Sequence, residues 1–423
     1  MGMKFAFFAG LLAVAVLGLL SCSTTSSSSS GTGALFVTTQ GDNSVSAFSV
    51  ALGTGALTAN GNSVATDKLP LVPTAMILAP SGNALFVANS NPNIPPPSPP
   101  PPCPAPPPGT ITSYTVNSNG TLAAVSGSSP AGIIPSGMAI DSAGHFLFVA
   151  NQGVQSPTGT DQVCQKGTIS VFTVSGTTLN KIGDFPTYAP NGQNGTRPVA
   201  VAVSFSGKFL YVANQVDGTV SVFSIASSGA LTTILAPYPV GMTPSALTLS
   251  PDGSFLYVAN SGSGNVSAFS VCDKQSATCA VTPGSSPDGS LSPIAGSPFP
   301  AALGPISVTT DSAGRFLFVV DNGSNQVSQY KISAGTGVLV ADSPATISTG
   351  DHPVWVSSRA GTTTVSATGG TIDYLYVANI GANTISIFSF DSTIGGLSVS
   401  GTPVTLVNGA RQPRGQPSAI AVK

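Results

Sequence analysis

From residue 34 onward the chain is built of short apolar runs separated by Gly, Pro, Asn and Ser. One five-residue phrase recurs at 35–39, 85–89, 147–151, 210–214, 256–260, 317–321 and 375–379. It opens on Leu, continues with Phe or Tyr and then Val, and ends on Asn in five of the seven copies. Short runs of β-branched and aromatic residues bounded by turn formers predict strands. A second strand-like run follows each copy, as at 45–50, 220–225, 266–271 and 385–390. Most copies are preceded by a third, which enters a tight turn such as Pro251-Asp252-Gly253, with Gly supplying the positive φ of a hairpin. A fourth, weaker run follows the second, as at Gly229-Ala230-Leu231-Thr232. The unit is therefore four antiparallel strands, A to D, repeating at about 57 residues.

Four-stranded units at that period predict an all-β, seven-bladed β-propeller spanning 34–423. The first copy lacks a strand A, and the final run, 418–423, matches one. The C-terminal strand is thus expected to complete the N-terminal blade and close the ring, removing an exposed edge. A leucine-rich or helical solenoid would need helix-period segments, and none appear.

Composition sharpens this picture. Of 423 residues only 7% are charged, and all 15 acidic residues are Asp. Blades buried on both faces account for the scarcity of charge. With 13 Lys+Arg there is no basic surface for nucleic acid, and any glutamate-based chemistry is excluded. No His/Cys/Asp/Glu grouping has metal-ligand spacing, and no cofactor is implied.

Residues 1–21 read as a signal peptide: Lys4 precedes an apolar run at 5–20, shorter than a bilayer-spanning helix. Leu19-Leu20-Ser21-Cys22 resembles a bacterial lipobox, implying lipidation at Cys22. Residues 22–33 form a Ser/Thr-rich tether. The chain is then expected to be an exported, membrane-anchored lipoprotein of the outer membrane, periplasm or cell surface, and a monomer. Export suits the remaining cysteines, with Cys103–Cys164 and Cys272–Cys279 as candidate disulfides. The Pro-rich insertion at 92–108 is expected to form a polyproline II arm, either a spacer or a ligand for a protein partner.

The D–A loops all end in Pro before strand A: Pro73, Pro135, Pro198, Pro244, Pro305, Pro353 and Pro417. Seven equivalents are architectural. The residue before each Pro varies, and rare ionisable groups gather there. Arg197 enters blade 4, Asp351 and His352 enter blade 7, and Arg411, Arg414 and Gln416 enter blade 1. These are the candidate ligands for a small anion or sugar acid. Asp351 could orient His352 as a base, with Arg197 pairing a carboxylate or phosphate. The bland alternative is solvated loop charge that does not converge. The terminal Asn of each strand B reads as a cap on the following turn, Trp355 as core, and His145 as surface structure.

The Leu-Tyr-Val-Ala-Asn strands, Ser-Pro-Asp-Gly turns and Gly-Ala-Leu fourth strands together resemble the lactonase-type seven-bladed propellers. That group is similar to 6-phosphogluconolactonase, to muconate-lactonising enzymes and to YVTN-repeat surface proteins. The resemblance implies the fold strongly. It implies catalysis by a glutamate with His and Arg at the channel mouth, a set that a chain without Glu cannot reproduce; only Arg197 matches loosely. Two functions are therefore expected to compete: a lipid-anchored binding or scaffolding module, and a divergent hydrolase of a lactone or sugar-acid substrate. Because the chain break replaces an A–B turn, the tether is expected to leave from the A–B/C–D face, with the Pro-rich arm on the opposite face.

Overall fold

The computed structural model describes residues 14–15, 33–67, 71–91, 107–155, 163–187, 197–273, 289–406 and 417–423. Among these there is no helix, and hence none long and apolar enough to cross a membrane. The described strands form the expected seven-bladed propeller.

Blade 1 is assembled from both ends of the chain. Its strand A is Pro417–Val422, followed by B (Gly33–Thr39), C (Ser44–Val50) and D, split into Leu57–Ala59 and Val64–Ala65. Strand A pairs antiparallel with strand B, Leu35 facing Val422 and Val37 facing Ile420. The A strands of blades 2 to 7 are Val72–Leu78, Pro135–Ile140, Pro198–Val203, Pro244–Leu249, Pro305–Thr310 and Pro353–Arg359. Each touches the next, and that of blade 7 touches that of blade 1, so the ring is closed. Strand D is continuous in blades 2, 3 and 6 and broken into two short pieces in the others. This explains its faint signal in the sequence. The A–B turns of blades 2 to 6 use glycine at positive φ, as at Gly82 and Gly253. Blade 7 instead makes a longer excursion pinned by a Thr364–Thr371 bridge. A two-residue strand, Val14–Ala15, pairs in parallel with Gly137 and Met138 of blade 3.

The recurring phrase is the core. Its second residue (Phe36, Phe86, Phe148, Tyr211, Tyr257, Phe318 and Tyr376) is fully buried in every blade. Three of these tyrosines fasten neighbouring blades. Tyr211 donates to the carbonyl of Gly289 (3.2 Å), Tyr257 to Gly337 (3.0 Å) and Tyr376 to Gly55 (3.1 Å). Each receiving glycine lies in the C–D turn of the following blade. The aromatic ring at the start of strand B packs on that same turn. A Cβ at Gly289 would lie 2.7 Å from Phe209, and one at Gly337 2.4 Å from Phe255.

The strand-B Asn closes the base of the B–C turn, donating to the residue that opens strand C: Asn214 to Thr219 (3.1 Å), Asn260 to Asn265 (2.8 Å) and Asn379 to Thr384 (3.1 Å). It is buried and reaches across the ladder to a hydroxyl on strand C. Asn151 donates to Ser170 (2.9 Å), Asn214 to Ser221 (2.8 Å), Asn260 to Ser267 (3.0 Å) and Asn379 to Ser386 (2.9 Å). The amide supplies the donor that a buried Ser or Thr oxygen needs, and this fixes the B–C register. Blade 6 substitutes Asp321, whose carboxylate accepts from the Ser328 hydroxyl (2.7 Å) and backbone N–H (3.1 Å).

Every strand A begins with a β-bulge between its Pro and the residue two positions on. Where the bulged residue is hydroxylated it ties blades together. Thr74 donates to the carbonyl of Pro135 (2.7 Å), Ser136 to Pro198 (3.2 Å) and Ser245 to Pro305 (2.8 Å). The bulge turns the chain into the ring and leaves the residue before Pro at the channel mouth. In blades 3 to 7 that residue sits at positive φ: Ile134, Arg197, Thr243, Gly304 and His352.

Candidate functional site at the D–A mouth

His352 and Asp351 are held as a unit by the blade beside them. Asn325, in the B–C loop of blade 6, accepts from the backbone N–H of His352 (2.8 Å) and donates to Asp351 Oδ1 (3.1 Å). Asn322 of the same loop donates to the carbonyl of Pro353 (2.9 Å). From the B–C turn of blade 7, the N–H of Ile380 donates to the His352 carbonyl (2.9 Å) and that of Gly381 to the Asp351 carbonyl (3.1 Å). Asn325 and His352 both adopt the left-handed conformation, at φ 55° and 48°. A non-Gly residue there is sparsely populated and persists only where its surroundings over-determine it.

Within this frame His352 Nδ1 lies 3.0 Å from Asp351 Oδ1. The hydrogen bond from His352 is the main cause holding the Asp351 carboxyl below the usual range, with Asn325 adding to it. With Nδ1 directed at the carboxylate, Nε2 is the ring nitrogen left for a general base to use. Both side chains are more than half exposed, at 61% and 55%. Water and solutes reach the pair freely.

Arg197 stands in the equivalent position of blade 4. It is half-buried, and burial lowers its pKa. Its Nε donates to Oε1 of the buried Gln152 (2.8 Å), from the B–C loop of blade 3, and its carbonyl accepts from Gln215 (3.0 Å). Blades 4 and 7 are three apart in a ring of seven. Among the described residues no hydrogen bond or ion pair links Arg197 to Asp351 or His352. The structure thus assembles His352 with Asp351 and sets Arg197 across the mouth from them. Arg411, Arg414 and Gln416 lie outside the described residues, as do Cys22, Cys103, Cys279 and most of the Pro-rich arm. No group of three or more His, Cys, Asp or Glu among the described residues could hold a metal ion.

A charged residue that the sequence pattern passed over is Arg359. It ends strand A of blade 7, at the opposite mouth, and lines a cavity of about 150 Å³ there. It was hidden because it continues the strand run Pro-Val-Trp-Val-Ser-Ser. Aligning the A strands would have exposed it, since the same position holds Ala79, Asp141, Ser204, Ser250 and Asp311 in blades 2 to 6. Trp355, in the same strand, is fully buried core as expected.

The comparisons with known proteins agree with this architecture. Residues 165–283 match the family described as "Lactonase, 7-bladed beta-propeller". A candidate 6-phosphogluconolactonase from Bacteroides uniformis ATCC 8492 superposes with TM-score 0.67 at 17% identity, covering 93% of this chain and 100% of that one. The periplasmic gluconolactonase of Pseudomonas aeruginosa gives TM-score 0.66 at 21% identity, over 92% and 98%. A candidate 6-phosphogluconolactonase from Bacteroides fragilis NCTC 9343 gives 0.66 at 18%, over 94% and 100%. No curated protein matches the chain. The resemblance to the lactonase-type seven-bladed propellers is borne out over residues 165–283, and the similar solved structures share the seven-bladed propeller fold.

Proposed function

We propose that the protein hydrolyses a lactone of a sugar acid at its D–A mouth. The observation that carries this reading is the Asp351–His352 pair, held from blade 6 by Asn325. His352 Nε2 would take a proton from water as the water attacks the ring carbonyl, and Asp351 would stabilise the imidazolium that forms. The ring C–O bond then breaks and the proton returns to the leaving alkoxide, giving the open hydroxy acid. Arg197, across the mouth, would pair a carboxylate or phosphate carried by the substrate. The likeness to gluconolactonases favours sugar lactones as the class to test.

The test is a panel of glucono- and 6-phosphoglucono-lactones, with acid release measured above spontaneous hydrolysis. His352→Ala is expected to lower kcat by about 10²–10⁴, the usual contribution of a positioned acid–base group. Arg197→Gln is expected to raise KM for the phosphorylated substrate while sparing kcat. A wild-type rate equal to background would overturn the reading. A specific feature favours the second reading, a binding module without turnover: the chain contains no Glu. Ligand-induced thermal stabilisation without acid release would select it.

Export and anchoring at Cys22 belong to the same proposal, supported by the apolar run at 5–20 and the lipobox-like residues after it. Cys22→Ser should move the protein from the membrane to the soluble fraction and abolish labelling by a fatty-acid analogue. Unchanged fractionation would refute the anchor. Oxidation of Cys103, Cys164, Cys272 and Cys279, and capture of a partner by the Pro-rich arm, likewise stand as proposals.

A further inference from the structure

Hydrogen bonding makes the residue two before the strand-A Pro equivalent from blade to blade. Its carbonyl accepts from the N–H of a glycine in the B–C turn of its own blade: Ile133 from Gly153 (3.1 Å), Met242 from Gly262 (3.1 Å), Leu303 from Gly323 (2.9 Å) and Asp351 from Gly381 (3.1 Å). In blades 5 to 7 the side chain at this position stands against that glycine. A Cβ at Gly262 would lie 3.2 Å from Met242 Cβ, one at Gly323 2.9 Å from Leu303 Cγ, and one at Gly381 2.5 Å from Asp351 Oδ2. Met242 and Leu303 thus hold, in the two blades preceding blade 7, the place that Asp351 holds in its own.

Both are 67% exposed, the most open large apolar side chains among the described residues. Scattered apolar residues on a surface need no explanation. These two share one register and adjoin the Asp351–His352 pair. Their loops are also fixed: Thr243 and Gly304 follow them at φ 51° and 69°, and the Met242 N–H donates to the Ser263 hydroxyl (2.7 Å). The shorter arc of the seven-blade ring from His352 to Arg197 crosses blades 6 and 5 alone. Its D–A loop ends there, Leu303-Gly304 and Met242-Thr243, carry no charge.

We infer that Leu303 and Met242 set the substrate preference of the D–A mouth, and that the favoured lactone carries an alkyl chain on its ring. The inference rests on the reading that this mouth hydrolyses lactones. With the ring carbonyl presented to His352, the chain lies along Leu303 and then Met242, toward blade 4. A substituent made only of hydroxyls meets two side chains there that cannot hydrogen-bond to it. A hydrocarbon chain instead buries apolar area against both, worth about fourfold in affinity for each methylene fully covered. The surface is ready before the substrate arrives, so little ordering opposes binding.

The test compares δ-hexalactone and δ-decalactone, which share one ring and differ only in chain length, as substrates of the purified protein. kcat/KM is expected to be at least about tenfold higher for δ-decalactone, an open rim covering only part of the added chain. Leu303→Asn combined with Met242→Gln should bring that ratio close to one, and Leu303→Met should retain it. Both positions are exposed, so the double variant should melt like wild type. Calorimetric binding of the open products, 5-hydroxyhexanoate and 5-hydroxydecanoate, reads the same preference without turnover. Tighter binding of 5-hydroxydecanoate that depends on Leu303, in a protein that hydrolyses neither lactone, would support the apolar rim and reject hydrolysis. Equal kcat/KM for the two lactones with equal product binding would overturn the rim and leave hydrolysis standing. Turnover of gluconolactone alone would do the same. Neither binding nor hydrolysis of any probe would overturn both.

Discussion

Asp321 stands where five other blades place Asn, and its environment makes it a poor anion. It is fully buried, and desolvation raises its pKa to about 7, with the Ser328 hydrogen bonds opposing the rise only partly. The folded state therefore holds a proton between pH 4 and 7 that the unfolded state releases. Stability from this group is fullest at low pH and falls as pH rises toward 7. Asp321→Asn should remove that dependence and, at pH 8, stabilise the protein by up to about 4 kcal/mol, the value of a three-unit shift. Urea unfolding at pH 5 and pH 8 checks it: the gain should be large at pH 8 and small at pH 5, and equal gains would count against the mechanism. The repeat made Asp321 legible as an exception, but nothing in the sequence announced that its position is dry. The same limit hid Arg359. Its type was plain, yet only the three-dimensional register shows that it ends against Gly33 with an unsatisfied Nη1. His352 was found for the opposite reason, since a residue before an invariant loop Pro has a place that can be counted along the chain.

At the scale of elements, the blades are coupled by contacts that each involve a strand and its neighbour's turn. The aromatic residue opening strand B rests on a C–D glycine one blade onward, and the tyrosine two residues on donates to that glycine's carbonyl. Gly337 carries both burdens, with φ 70° and a Cβ direction blocked by Phe255 and Ile294. Gly337→Ala should therefore destabilise by about 3 kcal/mol, combining left-handed strain with overpacking, whereas Tyr257→Phe should cost only about 1 kcal/mol for one net hydrogen bond. Chemical denaturation of both variants tests the ranking, and a larger loss from Tyr257→Phe would reverse the argument. Strands A, B and C were legible because their apolar runs are long enough to stand out against Gly and Ser. Strand D was faint because four of its seven copies are two pieces of two to five residues, partly exposed, whose placement is decided by pairing with strand C rather than by their own sequence.

The whole molecule depends on one seam. Blade 1 is completed only when Pro417–Val422 pairs with Gly33–Thr39, and the A-strand contacts then run unbroken around the ring. Removing residues 417–423 should leave strand B of blade 1 with a free edge and the ring open. Such edges recruit other chains, so the shortened protein should elute as oligomers or precipitate and lose a single cooperative melt. A monomer melting like wild type would show that closure is dispensable. The closure was readable in advance because the missing first strand and the surplus last one are complementary. The choice of chemistry at the D–A mouth was not, because a propeller brings residues from distant blades onto one rim.

The seam also decides how the molecule bears load. Strand B of blade 1 starts at residue 33, and its rungs run to seven partners on strand C and five on strand A. Ladder hydrogen bonds lie across the strand. A pull applied at residue 33 along the strand strains those rungs together, in shear, instead of peeling them one by one. A propeller held from that point is gripped by its strongest direction, and traction on the chain ahead of it tightens against the whole blade.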